Sequence, residues 1–343
     1  MSQTRAPRRP EWLRVRLRTT EQYAEVRRMM DGLELTTVCE EARCPNIFEC
    51  WGNRTATFMI LGEVCTRRCG FCAVTTGLPS RPPDPGEPRR VAEAVRRLGL
   101  AHAVVTSVDR DDLDDGGAGH FARVIEAVRA INPRCAVEVL TPDFKGVAGA
   151  LDVVLAARPD VFSHNMETVR RLYRTARPGS RYDYSLALLR GAVEARLQMA
   201  LRAENTGTRS GAEFEARGEA NAAEVETLSV SGGTRSTDGP GLRSGPFRIK
   251  TGLMVGLGET NDELREAFQD IRSAGVDVLT LGQYLQPTKE HLPVARFVTP
   301  AEFTALRDTA LSLGFLHVEA GPLVRSSYHA HEHRPDPQPL HHG

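Results

Sequence analysis

The sequence lacks an excess of charge of either sign. Its 343 residues carry 44 basic and 44 acidic side chains, so the formal net charge is zero. Bulk charge therefore gives no reason to expect nucleic-acid binding, and no basic patch interleaved with aromatic residues is found. No run approaches the roughly 18 apolar residues of a membrane-spanning helix. The arginine-rich residues 1–18 lack the apolar segment of a secretory signal. We expect a cytoplasmic protein that does not contact a membrane.

Cysteine is nearly absent after residue 72, where Cys135 is the last of seven. Cys135 lies in an apolar run, which predicts a buried structural thiol. The other six cysteines form two triplets near the start of the chain. Such clustering without a secretory signal argues against a disulfide framework and favours metal or iron–sulfur ligation. The upstream triplet is Cys39, Cys44 and Cys50, and the downstream triplet is Cys65, Cys69 and Cys72.

Apolar runs alternate with amphipathic helical patterns from residue 56 onward, which predicts an α/β fold with a parallel sheet covered by helices. About six βα units followed by a less regular ending indicate a partial (β/α)6 barrel of the TIM type. The predicted strands are 56–62, 101–108, 135–142, 161–165, 248–258 and 277–285, with 315–323 as a further candidate. The predicted helices are 89–100, 120–131, 146–157, 166–176, 185–201, 261–275 and 300–314.

In such a barrel, the catalytic residues lie at the carboxyl ends of the strands. The downstream triplet follows the first predicted strand, and the loop 107–120 follows the second, so both are expected at the same rim. Cys50 precedes Cys65 by only 15 positions, which allows the upstream triplet to reach that rim as well.

Residues 202–246 interrupt the alternation of strands and helices. They are rich in Gly, Ser, Thr, Glu and Ala and poor in large apolar side chains, a composition that cannot bury enough surface to offset the entropy of ordering. We predict a flexible, looped-out insertion with a short frayed helix around 212–228. The histidine-rich tail "HAHEHRPDPQPLHHG" is predicted to be solvated.

The downstream triplet has the spacing C-x3-C-x2-C, with Phe71 directly before the last cysteine. A 4Fe–4S cubane is usually held by four thiolates, so three thiolates leave one iron open to a small chelating molecule. The alternative is a structural zinc site, but such sites close with four ligands and favour paired CxxC units. A triplet at a strand end without a local fourth ligand fits zinc poorly.

This triplet resembles the signature of the radical S-adenosylmethionine (SAM) superfamily. Seven motifs in order resemble the lipoyl synthases over about residues 10–200 and 248–331: "CEEARCPNIFECWG", "GFCAVTTG", "SVDRDDLDDGGAGHF", "SHNMETV", "GLMVGLGET", "LTLGQYLQPTKEHLPVARFVTPAEF" and "GPLVRSSYHA". The resemblance implies a sulfurtransferase that inserts two sulfur atoms at carbons 6 and 8 of a protein-bound octanoyl-lysine chain. A different radical SAM enzyme with an auxiliary cluster, such as a methylthiotransferase, and a zinc-stabilised binding protein remain as alternatives.

The resemblance also implies the ligands of two 4Fe–4S clusters. The downstream triplet would hold the cluster that binds SAM and cleaves it to a 5′-deoxyadenosyl radical. The upstream triplet would hold an auxiliary cluster, the source of the inserted sulfur. The resemblance implies that the fourth ligand of the auxiliary cluster would be a serine of the "RSSY" motif at Arg325–Tyr328. Ser327 is favoured, and Ser326 is the alternative.

Contacts with SAM are predicted in loops that follow the strands. The candidates are Asp109, Asn165, Glu167, Gly256 and Glu259. The alternatives are a solvated acidic loop around Asp109, helix capping by Asn165 and Glu167, and an ordinary strand-to-helix turn at Gly256.

Neighbouring positions are weaker candidates. Arg110, Asp111 and Gly258 lie in the same loops as the SAM candidates, and His164 is more typical of a hydrogen-bonded core histidine than of a ligand. Arg181 and Lys289 are candidates for contact with a carboxylate or with a carrier protein.

The resemblance implies three kinds of protein partner. These are octanoylated lipoyl carrier domains (acyltransferase subunits of 2-oxoacid dehydrogenases and the glycine cleavage H protein), an electron donor such as ferredoxin or flavodoxin, and an iron–sulfur carrier that rebuilds the auxiliary cluster. We predict an N-terminal extension over 1–55 with the auxiliary-cluster cysteines. A radical SAM barrel follows over 56–323, and 324–343 form a C-terminal extension with the "RSSY" motif and a disordered tail.

Overall fold

The structure is a computed structural model that describes residues 9–15, 19–53, 55–215, 247–328 and 330–333. Within these ranges, no helix combines the length and the apolar character that crossing a membrane requires. Residues 1–8, most of the predicted insertion and the predicted tail beyond His333 lie outside the described residues. The start of the tail was predicted to be solvated, and this is wrong for Ala330 and His333, which are buried in a short 3-10 helix.

An eight-stranded sheet forms the centre of the molecule, in the order β1-β2-β5-β6-β7-β8-β9-β10. All neighbouring strands from β2 to β10 are parallel, and β1 pairs with β2 in the antiparallel direction. A separate parallel pair, β3 and β4, flanks the loop of the downstream triplet. The strands are β1 (Thr36–Thr37), β2 (Thr57–Ile60), β3 (Val64–Cys65), β4 (Thr75–Thr76), β5 (His102–Ser107), β6 (Ala136–Leu140), β7 (Val161–Ser163), β8 (Arg248–Val255), β9 (Val278–Gln283) and β10 (His317–Gly321).

Helices cover the sheet, and two of them start with a capping box. Thr260 accepts a hydrogen bond from the Glu263 amide while the Glu263 carboxylate accepts one from the Thr260 amide, and Thr299 and Glu302 repeat this arrangement. The α-helices are α1 (Glu21–Gly32), α2 (Val38–Glu41), α3 (Ile47–Gly52), α4 (Glu87–Leu98), α5 (Ala118–Ile131), α6 (Ala150–Ala156), α7 (Tyr173–Ala176), α8 (Tyr182–Glu215), α9 (Asn261–Ser273) and α10 (Pro300–Ser312). Short 3-10 helices occupy Glu11–Leu13, Phe144–Gly146, Arg170–Leu172 and Ala330–His333.

The N-terminal segment shares its hydrophobic core with the sheet. Val26 and Met30 of α1 and Trp51 of α3 are fully buried in the same cluster as the strand residues. The Tyr23 ring stacks on Phe48, with ring centroids 5.1 Å apart. This packing places the upstream triplet, on and between α2 and α3, against the edge of the sheet where β2 lies.

The α/β class and the partial barrel agree with the prediction, but the sheet contains seven parallel strands rather than six. The additional strand is β10, which pairs with β9 over five residues. Cys135 is buried directly before β6, as predicted.

The helix predicted over 166–176 is wrong in its first half. Glu167 has a φ of +66°, which an α-helix excludes, and it forms a parallel bridge with Leu253 of β8. The chain becomes helical only at Arg170. Asn165 and Glu167 therefore do not cap a helix, and they extend the line of β7 instead.

The structure also changes the start of the predicted insertion. Helix α8 begins at Tyr182 and continues to Glu215, so residues 202–215 of the predicted flexible segment are helical. The remaining residues, 216–246, lie outside the described part of the chain.

Candidate active site

One cavity of about 760 Å³ extends from the interior of the sheet to the carboxyl ends of its strands. Its wall includes all six cysteines of the two triplets, together with Ser326 and Ser327 from the chain after β10. Asp109, Asn165 and Glu167 also line it. The two triplets, which the sequence separates by the whole of β2, therefore face a single space.

Backbone contacts hold the loop of the downstream triplet against two other parts of the rim. The Thr66 amide donates to the Asp109 carbonyl at 3.0 Å, and the Gly70 amide donates to the Ala176 carbonyl at 2.9 Å. Gly70 has no room for a side chain, because a Cβ there would lie 2.9 Å from Leu292 Cγ. The loop thus adopts one position against its neighbours.

Asp109 is in direct contact with the first cysteine of this loop. Its amide donates to Cys65 Sγ at 3.4 Å, and the thiol donates to Asp109 Oδ2 at 3.6 Å. Burial, followed by the nearby Asp109 carboxylate, raises the pKa of Cys65 to about 11, and burial raises the pKa of Cys69 to about 12. Such thiols become ligands only when a bound cation stabilises the thiolate.

The upstream triplet is built from two short helices and the turn between them. Cys39 lies in α2 and Cys50 in α3, and the Cys44 amide donates to the Cys39 carbonyl at 3.0 Å. Burial is the main cause that raises the pKa of Cys39 to about 11 and that of Cys50 to about 12, with a smaller contribution from Cys44 at Cys39 and from Cys39 and Cys44 at Cys50. All three thiols line the cavity wall together with Thr57.

The chain after β10 joins this triplet from the other end of the sequence. Asn46 Nδ2 donates to the Leu323 carbonyl at 2.7 Å. Thr57 Oγ1 donates to Ser327 Oγ at 2.7 Å, whereas Asn165 Nδ2 donates to Ser326 Oγ at 2.8 Å. The two adjacent serines therefore point to different partners, Ser327 to the strand behind the upstream triplet and Ser326 to the carboxyl end of β7.

Asn165 and Glu167 form the wall on the β7 side. Asn165 Nδ2 also donates to Glu167 Oε1 at 3.1 Å. Asn165 Oδ1 is buried without a hydrogen-bond partner among the described residues, and burial raises the pKa of Glu167. An acceptor and a carboxylate held in this way are suited to the hydroxyl or ammonium groups of a polar ligand.

Arg177 is a cavity residue that the sequence analysis missed. Its guanidinium is buried and donates to the Asn165 carbonyl and to the Tyr173 hydroxyl, both at 2.9 Å. Burial opposes its charge, but Tyr173 and Glu167 raise its pKa, so it remains a cation at the cavity wall beside Cys69. No motif marks this arginine, which is one of six arginines between residues 158 and 181.

Two predicted SAM-binding residues lie outside the cavity. Glu259 accepts hydrogen bonds from the amides of Gly256 and Leu257, at 2.6 and 2.9 Å, so its carboxylate closes the turn after β8. Gly256 is required by packing, since its φ is +96° and a Cβ would lie 2.5 Å from the Arg296 carbonyl oxygen. The alternative of a strand-to-helix turn accounts for this geometry, and contact of Gly256 and Glu259 with SAM stays a prediction.

The weaker candidates also have other partners. Arg110 binds Asp112 and the Leu61 carbonyl, and Asp111 binds Arg67. His164 is buried, and its two ring nitrogens are hydrogen-bonded to the Thr141 carbonyl and the Ser185 hydroxyl. Gly258, Arg181 and Lys289 do not line the cavity within the described structure; the last two are exposed.

The arrangement of thiols suits cubane clusters. All seven cysteines are free thiols. Among the described residues, no three Cys, His, Asp or Glu side chains converge on the position of a single metal ion. A cubane does not require such convergence, because each thiolate binds a different iron. Two triplets of buried or partly buried thiols in one cavity wall are compatible with two clusters of this kind.

Comparison with known proteins identifies the family. The model of the radical SAM superfamily matches residues 59–201, and that of the N-terminal domain of lipoyl synthase of the radical SAM family matches residues 1–44. These two regions contain both cysteine triplets except for Cys50.

Similarity to curated relatives extends along nearly the whole chain. The lipoyl synthase of Rubrobacter xylanophilus is 50% identical over 328 residues, which cover 96% of this chain and 87% of the relative. The lipoyl synthase of Symbiobacterium thermophilum is 51% identical over 325 residues, covering 95% and 86%, and that of Bacillus cytotoxicus is 48% identical over 331 residues, covering 96% and 95%. With a cavity that joins both cysteine triplets and identity of this extent, the chain belongs to the lipoyl synthase family of the radical SAM superfamily.

Proposed function

We propose that this cavity is where the protein inserts sulfur at carbons 6 and 8 of an octanoyl chain amide-linked to a lysine of a lipoyl carrier domain. The cofactors of the reaction are SAM and two 4Fe–4S clusters. The observation that carries the proposal is the shared wall of the cavity, to which both triplets and the serine pair contribute. Sulfur transfer to a carbon radical requires the two reacting atoms to be held next to each other.

The downstream triplet would hold the cluster that, together with SAM, supplies a primary carbon radical for removal of hydrogen from an unactivated carbon. Around it, the cationic Arg177 and the carboxylates of Asp109 and Glu167 would orient the charged methionyl end and the ribose of SAM. SAM and the substrate chain, when bound in the cavity, would displace water from the reacting atoms.

The upstream triplet would hold the auxiliary cluster with Ser327 as its fourth ligand. The hydrogen bonds favour Ser327 over Ser326, because Ser327 is bonded to Thr57 beside Cys39 and Ser326 is bonded to Asn165 on the opposite side. Oxygen is a poorer match than thiolate for the irons of such a cluster, which suits a cluster that gives up its sulfur.

Each of the three segments predicted from the sequence would have a separate role in this reaction. Residues 1–55 would supply the auxiliary-cluster cysteines, residues 56–323 the SAM-cleaving barrel, and residues 324–343 the serine ligand.

Carrier domains of 2-oxoacid dehydrogenases and the glycine cleavage H protein would present the substrate. A ferredoxin or flavodoxin would supply electrons, and an iron–sulfur carrier would rebuild the auxiliary cluster. Seven free thiols are stable in the reducing cytoplasm, where we place the protein.

Oxygen-free reconstitution with iron and sulfide, followed by a turnover assay, tests the proposal. We expect a brown protein with about eight irons per chain, since each cubane contains four. With SAM, a reductant and an octanoyl-lysine peptide, mass spectrometry should show a product that gains two sulfur atoms. Two bound zinc ions without colour, or SAM cleavage without sulfur gain, would contradict the proposal.

Two variants test the division of labour between the triplets. Cys65→Ala should abolish SAM cleavage, because the SAM-binding cluster loses a ligand. Cys44→Ala should leave SAM cleavage measurable and abolish sulfur gain, because only the auxiliary cluster is lost. Cys135→Ala, which changes the buried thiol outside the cavity, is the control and should leave both reactions intact. Sulfur gain by Cys44→Ala would show that the upstream triplet does not supply the sulfur.

A further inference from the structure

Thr57 is the first residue of β2, and it contacts two candidate ligands of the auxiliary cluster. Its hydroxyl donates to Ser327 Oγ at 2.7 Å, across 270 positions of sequence. Its backbone lies beside the Cys39 thiol and lowers the pKa of that thiol, against the larger effect of burial. The side chain is 5% exposed and lies in the cavity wall. One residue thus connects the N-terminal triplet with the C-terminal serine.

The sheet holds Thr57 in a fixed position. Thr57 is opposite Val104 of β5, and the next residue, Phe58, is opposite Thr37 of β1, so strands flank it on both sides. A β-branched side chain in a strand has few rotamers. The Thr57 hydroxyl, which donates to Ser327, is therefore well ordered.

The hydrogen bond from Thr57 also determines which lone pair of the Ser327 oxygen is available to a ligand in the cavity. A serine hydroxyl has one proton and two lone pairs. Because Thr57 donates, it occupies one lone pair and leaves the other available to the cavity. A donor at this oxygen also stabilises it when it carries negative charge.

The C-terminal segment makes further contacts with the N-terminal helices. Asn46 donates to the Leu323 carbonyl at 2.7 Å, the Tyr328 hydroxyl donates to Glu49 Oε1 at 3.3 Å, and Arg325 lies near Cys44. Among these described contacts, the Thr57 bond is the one that reaches Ser327. Loss of that bond would free the serine without removing the segment.

We propose that Thr57 is a positioning residue for the auxiliary cluster: its hydroxyl holds Ser327 beside Cys39 so that the serine oxygen is presented to the cluster. This inference rests on the proposed role of Ser327. Neither the cysteine motifs nor the "RSSY" motif includes Thr57, which the sequence presents as an ordinary strand residue.

The test compares three variants of the reconstituted protein. Thr57→Val removes the hydroxyl with little change in shape, and Thr57→Ser retains it. Thr106→Val is the matched control: Thr106 lies on the neighbouring strand β5 in the same cavity wall, but its hydroxyl donates to the Leu140 carbonyl at 2.9 Å. The readouts are amide hydrogen exchange over 324–328, the Mössbauer signal of the iron with a non-thiolate ligand, SAM cleavage and sulfur gain.

Thr57→Val should accelerate exchange over 324–328 by about tenfold, as expected for the loss of one hydrogen bond that opposes local opening. It should also weaken the Mössbauer signal of the oxygen-ligated iron and slow sulfur gain by about tenfold or more, while SAM cleavage is unchanged. Thr57→Ser should restore all of these properties, and Thr106→Val should leave the exchange over 324–328 and the Mössbauer signal unchanged. Wild-type exchange and spectrum in Thr57→Val, or equal effects in Thr106→Val, would overturn the inference.

Ser327→Ala separates this inference from the proposed function on which it rests. If Ser327→Ala alters the Mössbauer signal and Thr57→Val does not, Ser327 is a ligand and the role of Thr57 is wrong. If Ser327→Ala keeps the wild-type signal and sulfur gain, the assignment of Ser327 fails, and the inference about Thr57 fails with it.

Discussion

Arg67 and Asp143 are in contact although their loops follow different strands: Arg67 Nη2 lies 2.7 Å from Asp143 Oδ1. The same guanidinium forms two hydrogen bonds with the Asp111 carboxylate, at 2.9 and 2.8 Å, and its side chain is only 4% exposed. Arg67 lies between Cys65 and Cys69. The loop of the downstream triplet is therefore fixed to the loops that follow β5 and β6.

Replacement of Arg67 by Met should destabilise the protein by about 3–5 kcal/mol, because the buried Asp143 and the partly buried Asp111 would lose their cation. The measurement is the urea midpoint at an unchanged transition slope. Arg265→Met is the control, since Arg265 pairs with an Asp262 that is 91% exposed, and it should change stability by less than about 1 kcal/mol. Equal midpoints for the two variants would show that the buried network does not stabilise the loop.

The sequence allowed prediction of those site residues whose positions depend on local spacing along the chain. The downstream triplet could be placed after the first strand because apolar periodicity and C-x3-C-x2-C spacing are both short-range signals. Arg177 and Thr57 carry no such signal, since their roles depend on partners brought close only by the folded sheet. Glu259 shows that a local pattern can have two meanings: the neighbouring glycines suggested a ligand contact, and in the structure the Glu259 carboxylate closes a turn.

Glu167 shows why one predicted helix was misplaced. The sequence 166–176 has a helical pattern, yet the Glu167 amide donates to the Gly252 carbonyl and the Met254 amide donates to the Glu167 carbonyl. These contacts with β8 override the local preference and force the backbone of Glu167 into the left-handed region. The result is a carboxylate at the cavity wall in place of a helix start.

His164 should make stability depend on pH. Burial, and then the nearby Arg177, lowers the pKa of His164 to about 4. Between that value and the ordinary pKa of about 6.5, the unfolded chain binds the proton and the folded chain does not. The free energy of unfolding should therefore fall as the pH falls through this window, by at most about 1.4 kcal/mol per pH unit for this one group.

His164→Gln provides the comparison for that pH dependence. Glutamine retains hydrogen-bonding capacity and does not titrate, so urea midpoints measured from pH 7 to pH 4.5 should fall less steeply for the variant than for the parent. Parallel curves would show that His164 is not the titrating group.

Lys250 and Glu138 form an ion pair inside the sheet, with Nζ 2.7 Å from Oε1 and both side chains at most 1% exposed. Lys250→Met should cost about 3–5 kcal/mol, because the Glu138 carboxylate remains buried without its main cation. Adding Glu138→Gln should recover much of that loss, since no unpaired charge then remains. Urea unfolding of the two single variants and the double variant measures the coupling. Additive effects would contradict a direct interaction.

Gly282 allows the C-terminal segment to approach the sheet. A Cβ at this position on β9 would lie 2.2 Å from the Val324 carbonyl oxygen, so Gly282→Ala should displace Val324 and the "RSSY" residues that follow. Because only the serine side of the auxiliary site depends on this segment, reconstituted iron should fall from about eight toward about four per chain. Sulfur gain should be lost while SAM cleavage persists. Gly32→Ala is the control, as nothing lies within 4 Å of its Cβ position, and it should keep the wild-type iron content. A full iron content and sulfur gain in Gly282→Ala would show that the position of the C-terminal segment is not required for the auxiliary site.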